Sequence, residues 1–220
     1  MLLIIVLSAF NVLAQEDLVN VSAQMDLMGT QFQITVVAES ESLGQQYIKE
    51  AIAEIRRING IISSWEESSE THAINQNAGE KAVSVSKEMF LLLEQAKKLS
   101  ERTQGAFDIT YAALDRLWHF KGKMGPPPSP EELKAQIAKV GYQNIILDKA
   151  SQRVFLAKKG MRIAFGAIGK GFAIDQVKAL LVSIGVPGGM INASGDLTTW
   201  GTRETGEKWI VGIENPPDAT

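Results

Sequence analysis

The sequence contains no cysteine among its 220 residues. A chain without cysteine forms no disulfide, zinc–thiolate site, cysteine nucleophile or lipid-modified cysteine anchor. It also has no excess of basic residues, because 22 lysines and arginines stand against 25 acidic residues, a net charge of −3. Since no basic stripe is visible either, we do not expect the protein to bind nucleic acid.

Long apolar runs are also missing. Residues 1–14 are uncharged and begin with an apolar stretch, which is too short for the roughly 20 residues that cross a bilayer. Ala14 is a small residue that suits a cleavage point, so we predict a secretory signal over 1–14, although the usual basic start is missing. A buried N-terminal strand is the alternative. The signal implies an exported protein, in the periplasm or on the outer side of the cytoplasmic membrane, with its mature domain over 15–220.

Strand and helix patterns alternate irregularly along the rest of the chain. Periodicity predicts a strand at 31–38, a helix at 43–60, a short strand at 81–85, helices capped by Ser86 and Ser129, three strands within 144–165, a helix after a glycine-rich turn at 164–171, and strands within 188–201 and 207–216. Residues 63–80 are polar without a period and predict a loop. This order predicts an α+β fold, with mixed or antiparallel sheets and flanking helices, rather than a doubly wound sheet.

The glycine-rich turn is the first candidate for a binding site. It reads AFGAIGKGFAID over 164–175, with three glycines around Lys170 at the expected start of a helix. Unpaired N–H groups, the helix dipole and a lysine together suit a phosphate or pyrophosphate. The spacing matches neither a Walker A loop nor a dinucleotide-binding fingerprint. A tight packing turn with a solvated lysine explains the same residues equally well.

Three other stretches hold residues that suit a site. Asp108 follows a glycine and an aromatic in GAFDIT, Asp196 follows a turn in NASGDL, and Met28 precedes a glycine in MDLMGT. Each has a simple structural explanation by itself, as a turn residue, a hairpin residue and a core residue.

The order of these stretches resembles the ApbE family, the FAD:protein FMN transferases. The landmarks are M-G-T, S-x-W, G-A-F-D-x-T, G-A-I-G-K-G-F-A-x-D, N-x-S-G-D-L and W-x-V-G-I-x-x-P, from about Met28 to Pro216. The resemblance implies a T-fold-like architecture and an exported, magnesium-dependent enzyme. Such an enzyme splits FAD, attaches FMN to a threonine or serine of a partner protein through a phosphoester, and releases AMP.

The family also indicates the partner and two alternative functions. Acceptor proteins in the family carry a D-x-x-[ST]-G-A-[ST] segment and include subunits of membrane redox complexes. An FAD pyrophosphatase that stops at FMN and AMP is one alternative. A non-catalytic, exported flavin-binding protein is the other.

The resemblance assigns roles residue by residue but names no catalytic side chain. The residues expected to bind FAD are Met28, Trp65, Ala106, Phe107, Asp108 and Lys170. Met28 is expected to lie against the flavin, and Trp65 to be an aromatic contact. The backbone carbonyl of Ala167 is expected to bind Mg²⁺.

Two departures from the family pattern accompany this assignment. Ala164 stands where the family often has an acidic residue, three positions before Ala167. The family's remaining metal ligands come well after the last landmark, and Asp218 and Thr220 arrive too early to be assigned. The domain is therefore expected to be incomplete at its C-terminus. His72 and His119 lie in the wrong segments and are interpreted as loop or surface histidines.

Overall fold

The computed structural model of the protein describes residues 18–114 and 127–212. The predicted signal segment, His119, Asp218 and Thr220 lie outside these residues. The described elements are, in chain order, β1 (Val19–Leu27), β2 (Thr30–Ala38), α1 (Glu41–Ile62), α2 (Glu70–Gln76), β3 (Val83–Ser84), α3 (Lys87–Arg102), a 3-10 helix (Ile109–Leu114), α4 (Pro130–Ile137), a second 3-10 helix (Tyr142–Asn144), β4 (Ile145–Asp148), β5 (Arg153–Leu156), α5 (Gly169–Ser183), β6 (Gly188–Ala193) and β7 (Asp196–Trp200). Within these ranges, no helix is both long and apolar enough to cross a membrane.

The larger sheet has four antiparallel strands in the order β1-β2-β6-β7. Helices α1 and α5 pack side by side on one of its faces. Alternate residues of β2 point into this interface, which is why the strand shows a period of two. Fully or nearly fully buried residues of this core include Phe32, Ile34, Val36, Ile48, Ala51, Ile55, Val177, Leu181 and Ile191.

The smaller sheet has three antiparallel strands in the order β3-β5-β4. A second core joins it to α2, α3 and the end of α1. Its buried residues include Ile62, Ile74, Met89, Leu92, Leu93, Ile109, Val154, Leu156, Met161 and Ile163. The start of α5 contributes Ala173 to this core and Val177 to the other, so α5 joins the two cores.

An arginine on α1 holds α1 to α3. The Arg57 guanidinium donates to both carboxylate oxygens of Glu54 at 2.7 Å, and to those of Glu88 on α3 at 2.7 and 2.9 Å. Hydrogen bonding to Arg57 lowers the pKa of the Glu54 carboxyl below its ordinary value. The arrangement fixes α3, which forms one wall of the cavity described below.

The α+β class and the well-patterned elements are confirmed. Ser86 caps α3 by accepting from the Met89 amide at 3.1 Å. At the start of α4, Ser129 and Glu132 form the predicted capping box, with bonds of 3.2 and 2.9 Å. Both caps satisfy amide groups that have no partner within the helix.

The loop predicted over 63–80 is wrong, because these residues include α2. Ser69 caps this helix by accepting from the His72 amide at 2.9 Å, and Thr71 and Ile74 are buried. Only two positions of the helix are buried, which is too few to show a helical period.

Two predicted strands are absent from the described residues. Residues 161–165 form no strand, and the Asn75 side chain pairs with their backbone instead, accepting from Ile163 N at 2.7 Å and donating to Ile163 O at 3.0 Å. Residues 207–212 form no strand either, since the Trp209 indole turns back and donates to Trp200 O at 3.0 Å. In addition, 188–201 holds two strands rather than one, β6 and β7.

Candidate functional site

Two hairpin turns meet at one end of the larger sheet. Met28 and Gly29 connect β1 to β2 with φ of 51° and 75°, and Ser194 and Gly195 connect β6 to β7 with φ of 50° and 103°. Positive φ at both central residues is the usual geometry of a two-residue hairpin turn. The β2–β6 register pairs Phe32 with Ala193, which brings the two turns together.

The start of α5 lies against these turns. The Lys170 ammonium is 2.8 Å from Asp196 Oδ2 and donates a hydrogen bond to Ala193 O at 3.1 Å. The Met28 Cε atom lies 3.8 Å from the position that a Cβ on Gly169 would occupy. No side chain caps the helix at Ile168. The glycine-rich turn is therefore built into the sheet end and is held there by its lysine.

A cavity of about 350 Å³ opens beside this helix start. One wall is a face of α3, and the other is the start of α5 with the first residue of β7. The lining residues are Leu92, Gln95, Ala96, Leu99, Ala167, Ile168, Gly171, Phe172, Asp175 and Asp196. An apolar wall facing a few polar groups is typical of small-molecule sites, whose volumes start at about 300 Å³.

The predicted site residues fall into two groups. Ala167 lines the cavity, Lys170 joins it through Asp196, and Met28 contacts the helix start beside it. Trp65, by contrast, is 85 % exposed in the connection between α1 and α2 and does not line the cavity.

The segment 106–108 is also outside the cavity lining, and its aspartate holds the local backbone together. Asp108 Oδ1 accepts from the amide and the hydroxyl of Thr110, at 2.8 and 2.7 Å. Asp108 Oδ2 accepts from the Tyr142 amide at 2.9 Å. Ala106 is exposed, and Phe107 packs partly against the second core. The FAD-binding role of these three residues stays a prediction.

Comparison with known proteins decides the family. A sequence model described as the ApbE family matches residues 28–220. The chain belongs to this family. It is 28% identical over 190 residues to an FAD:protein FMN transferase of Klebsiella pneumoniae, covering 86% of this chain and 57% of that one. It is also 28% identical over 213 residues to the enzyme of the same name from Haemophilus influenzae, covering 92% and 60%.

Solved structures of the ApbE family share this fold. The ApbE protein of Thermotoga maritima matches with a TM-score of 0.80 at 28% identity, over 89% of this chain and 63% of that chain. The flavin transferase ApbE of Vibrio cholerae matches with a TM-score of 0.82 at 24% identity, over 90% and 65%. The chain thus spans about three fifths of the length of the curated ApbE relatives it matches.

Residues outside the sequence-based assignment also line the cavity. Asp196 is a residue that suits a site by sequence, with a hairpin position as its simple explanation, but the resemblance assigns it no role. Asp175 ends the G-K-G-F-A-x-D landmark. The sequence does not mark Gln95 as a binding residue. It shows only that Gln95 lies on a helix with a regular apolar face. Leu92, Gln95, Ala96 and Leu99 recur at helical spacing, so α3 presents one continuous face to the cavity.

Metal ligands are sparse in the part of the chain that the structure describes. No group of three or more histidine, cysteine, aspartate or glutamate residues is arranged there to hold an ion. His72 lies 3.3 Å from the Gln76 side chain on α2 and does not line the cavity. Ala164 is 6% exposed, and its amide donates to Ile109 O at 3.0 Å.

Proposed function

We propose that the protein is a magnesium-dependent FAD:protein FMN transferase. A threonine or serine oxygen of an acceptor protein attacks the phosphorus on the FMN side of the FAD pyrophosphate. The bond from that phosphorus to the bridging oxygen breaks, AMP leaves, and the acceptor hydroxyl loses its proton. The observation that carries the proposal is the family's glycine-rich turn, which opens onto a cavity of ligand size with Ala167 in its wall.

The charges of the cavity support a cation as part of the site. Asp175 and Asp196 line it, no lysine or arginine is among the lining residues of the described chain, and Lys170 is already paired with Asp196. A pyrophosphate entering beside two carboxylates and one ammonium is repelled unless further positive charge accompanies it. A divalent cation supplies that charge and bridges phosphate oxygens.

The groups present fit magnesium in chemical type. The Ala167 carbonyl and the Asp175 carboxylate are oxygen donors, which Mg²⁺ prefers, and its remaining positions are commonly filled by water and substrate phosphates. Bound there, Mg²⁺ would neutralise phosphate charge and polarise the phosphorus under attack. The chain's own contribution is to hold the nucleotide in the cavity, with Met28 at the helix start as an apolar contact for a ring.

The export and partner proposals rest on sequence alone. The uncharged apolar segment 1–14 supports export to the periplasm or the outer side of the cytoplasmic membrane. The acceptor is proposed to carry the D-x-x-[ST]-G-A-[ST] segment and to be a protein such as a subunit of a membrane redox complex.

Removing the metal is expected to stop FAD cleavage. With FAD and Mg²⁺, the full-length protein should release AMP, and an excess of EDTA should abolish the release because the pyrophosphate charge is then unbalanced. Chromatography of the nucleotides measures this, and restoring Mg²⁺ after EDTA is the control. AMP release that continues unchanged in EDTA would contradict a metal-assisted mechanism.

Gly171→Ala is expected to weaken FAD binding without weakening the fold. A Cβ on Gly171 meets no atom within 4 Å, and the residue lines the cavity, so the added methyl takes up ligand space. Alanine also favours a helix over glycine by up to about 1 kcal/mol, so stability should be equal or higher.

The matched control for this variant is Gly60→Ala. Gly60 lies in α1, and a Cβ there also meets nothing within 4 Å, but the residue does not line the cavity. Flavin fluorescence titration should show a several-fold weaker affinity for Gly171→Ala and no change for Gly60→Ala. Equal affinities in both variants would mean that FAD does not occupy this cavity.

A further inference from the structure

Side-chain hydroxyls join the two hairpin turns that meet at the end of the larger sheet. The backbone ladder between β2 and β6 ends at the pair of Phe32 and Ala193. Beyond that pair, Ser194 Oγ lies 2.5 Å from Thr30 Oγ1 and donates to Gln31 O at 3.1 Å. These two contacts of Ser194, which we call the hydroxyl bridge, extend the connection between the hairpins past the last backbone pair.

Ser194 is not the residue that its backbone conformation favours. Its φ of 50° lies in the left-handed region, which glycine, asparagine and aspartate adopt most readily in a two-residue hairpin turn. A serine is strained there because its Cβ crowds the backbone. The turn itself therefore gains nothing from serine over glycine, and what serine adds at this position is its hydroxyl.

The hydroxyl bridge connects two parts of the candidate site. Met28 lies on the β1–β2 turn, and its Cε is 3.8 Å from the position of a Cβ on Gly169 at the start of α5. Asp196 begins β7 and lines the cavity. The bridge is formed two residues after Met28 and two residues before Asp196, so it fixes the turn that carries Met28 relative to the cavity wall.

We propose that Ser194 is a positioning residue, which acts through Thr30 to hold Met28 where it contacts the flavin ring of bound FAD. This inference rests on the proposed function, because it takes the ligand to be FAD with a ring beside Met28. Ser194 itself makes no contact with the ligand. It orders the Met28 turn before binding, which removes part of the entropy that would otherwise be lost when the ligand binds.

Flavin fluorescence titration of the full-length protein with riboflavin and with FAD tests this, in EDTA so that FAD is not cleaved. Ser194→Gly removes the hydroxyl bridge and suits the left-handed backbone. It should weaken both ligands roughly two- to tenfold, the range that corresponds to one hydrogen bond, while the midpoint of thermal unfolding changes little. Thr30→Val should weaken both ligands similarly, and Thr30→Ser, which keeps the hydroxyl, should bind them as the unaltered protein does.

A double variant decides whether the bridge acts through Met28. Met28→Ala should weaken both ligands, because it removes the contact with the ring. Adding Ser194→Gly to Met28→Ala should then cause no further loss, since the bridge has no side chain left to place. A further loss as large as that caused by Ser194→Gly alone would mean that the bridge acts elsewhere, and the proposal would be wrong.

Ser22→Ala is the matched control. Ser22 Oγ lies 2.8 Å from Thr35 Oγ1, so these residues form another hydroxyl pair in the same sheet, between β1 and β2 and away from the turns. Its loss should leave both affinities unchanged. An equal loss in Ser22→Ala, or a large fall in the unfolding midpoint of Ser194→Gly, would make the role of Ser194 merely structural and overturn the proposal.

Two further results separate this inference from the proposed function. If Ser194→Gly binds both flavins as tightly as the unaltered protein does, the positioning role is wrong while the proposed function stands. If the unaltered full-length protein binds neither FAD nor riboflavin, the proposed function fails and this inference fails with it.

Discussion

Leu93→Ala is expected to lower the free energy of unfolding by about 2–5 kcal/mol, the usual cost of truncating a leucine in a core. Leu93 lies on α3, is 0% exposed and packs in the second core. Its removal leaves a cavity between α3 and the smaller sheet that surrounding side chains fill only in part. The effect is large because total stabilities of domains are of the order of 5–15 kcal/mol.

The control for this prediction lies two residues earlier on the same helix. Leu91 is 44% exposed, so Leu91→Ala should change the free energy of unfolding by no more than about 0.5 kcal/mol. Urea denaturation of the two variants measures the difference. Equal losses would mean that α3 presents a different face to the protein, and the cavity wall formed by Leu92, Gln95 and Leu99 would be wrong with it.

Asp108→Ala is the second substitution with a large expected effect. Its carboxylate accepts three hydrogen bonds, two from Thr110 and one from the Tyr142 amide. Thr110 is 0% exposed, and its hydroxyl oxygen in turn accepts from the Gly141 amide at 2.7 Å. Since hydrogen bonds to a charged group contribute about 1.5–3 kcal/mol each and do not add fully, we expect a loss of about 2–4 kcal/mol.

This prediction separates the structural role of Asp108 from its expected role in FAD binding. Thermal or urea unfolding gives the stability, with exposed Asp26→Ala on β1 as the control that should change little. The FAD affinity of Asp108→Ala is then measured under conditions where the variant is folded. Normal stability in Asp108→Ala would contradict the hydrogen-bond network described above, whatever the affinity.

Helices and strands are predicted correctly where the pattern of their own residues is enough to determine their structure. Helices α1 and α3 bury a regular stripe, and α4 carries its start signal in Ser129 and Glu132. Strand β1 was not predicted, because its outward residues are polar and its inward ones, such as Ala23 and Met25, are only partly buried. The strand expected at 161–165 fails for a long-range reason, since a side chain 88 residues earlier in the chain, Asn75, occupies the pairing groups of Ile163.

In the candidate site, too, the features set by local sequence are predictable, and those set by long-range contacts are not. The glycine-rich turn and its lysine are visible in the sequence, because local residue types mark the start of a helix. The partner of Lys170 is not, since Ala193 and Asp196 reach it only through the register of β2, β6 and β7. The wall contributed by α3 depends in the same way on packing between distant segments. The sequence alone supports two interpretations of Lys170 equally, a phosphate-binding lysine and a solvated one. The structure adds a third, in which Lys170 is paired with the β6–β7 hairpin.

Covalent labelling of an acceptor tests the central claim most directly. The full-length protein is incubated with FAD, Mg²⁺ and an acceptor protein carrying the D-x-x-[ST]-G-A-[ST] segment. Intact-mass measurement of the acceptor and chromatography of the nucleotides follow the reaction. We expect the acceptor to gain one FMN group at the threonine or serine, with AMP released in equal amount, and an alanine at that position to prevent labelling. AMP released with free FMN and an unlabelled acceptor would indicate a pyrophosphatase instead, and an unlabelled acceptor without any AMP would contradict the account.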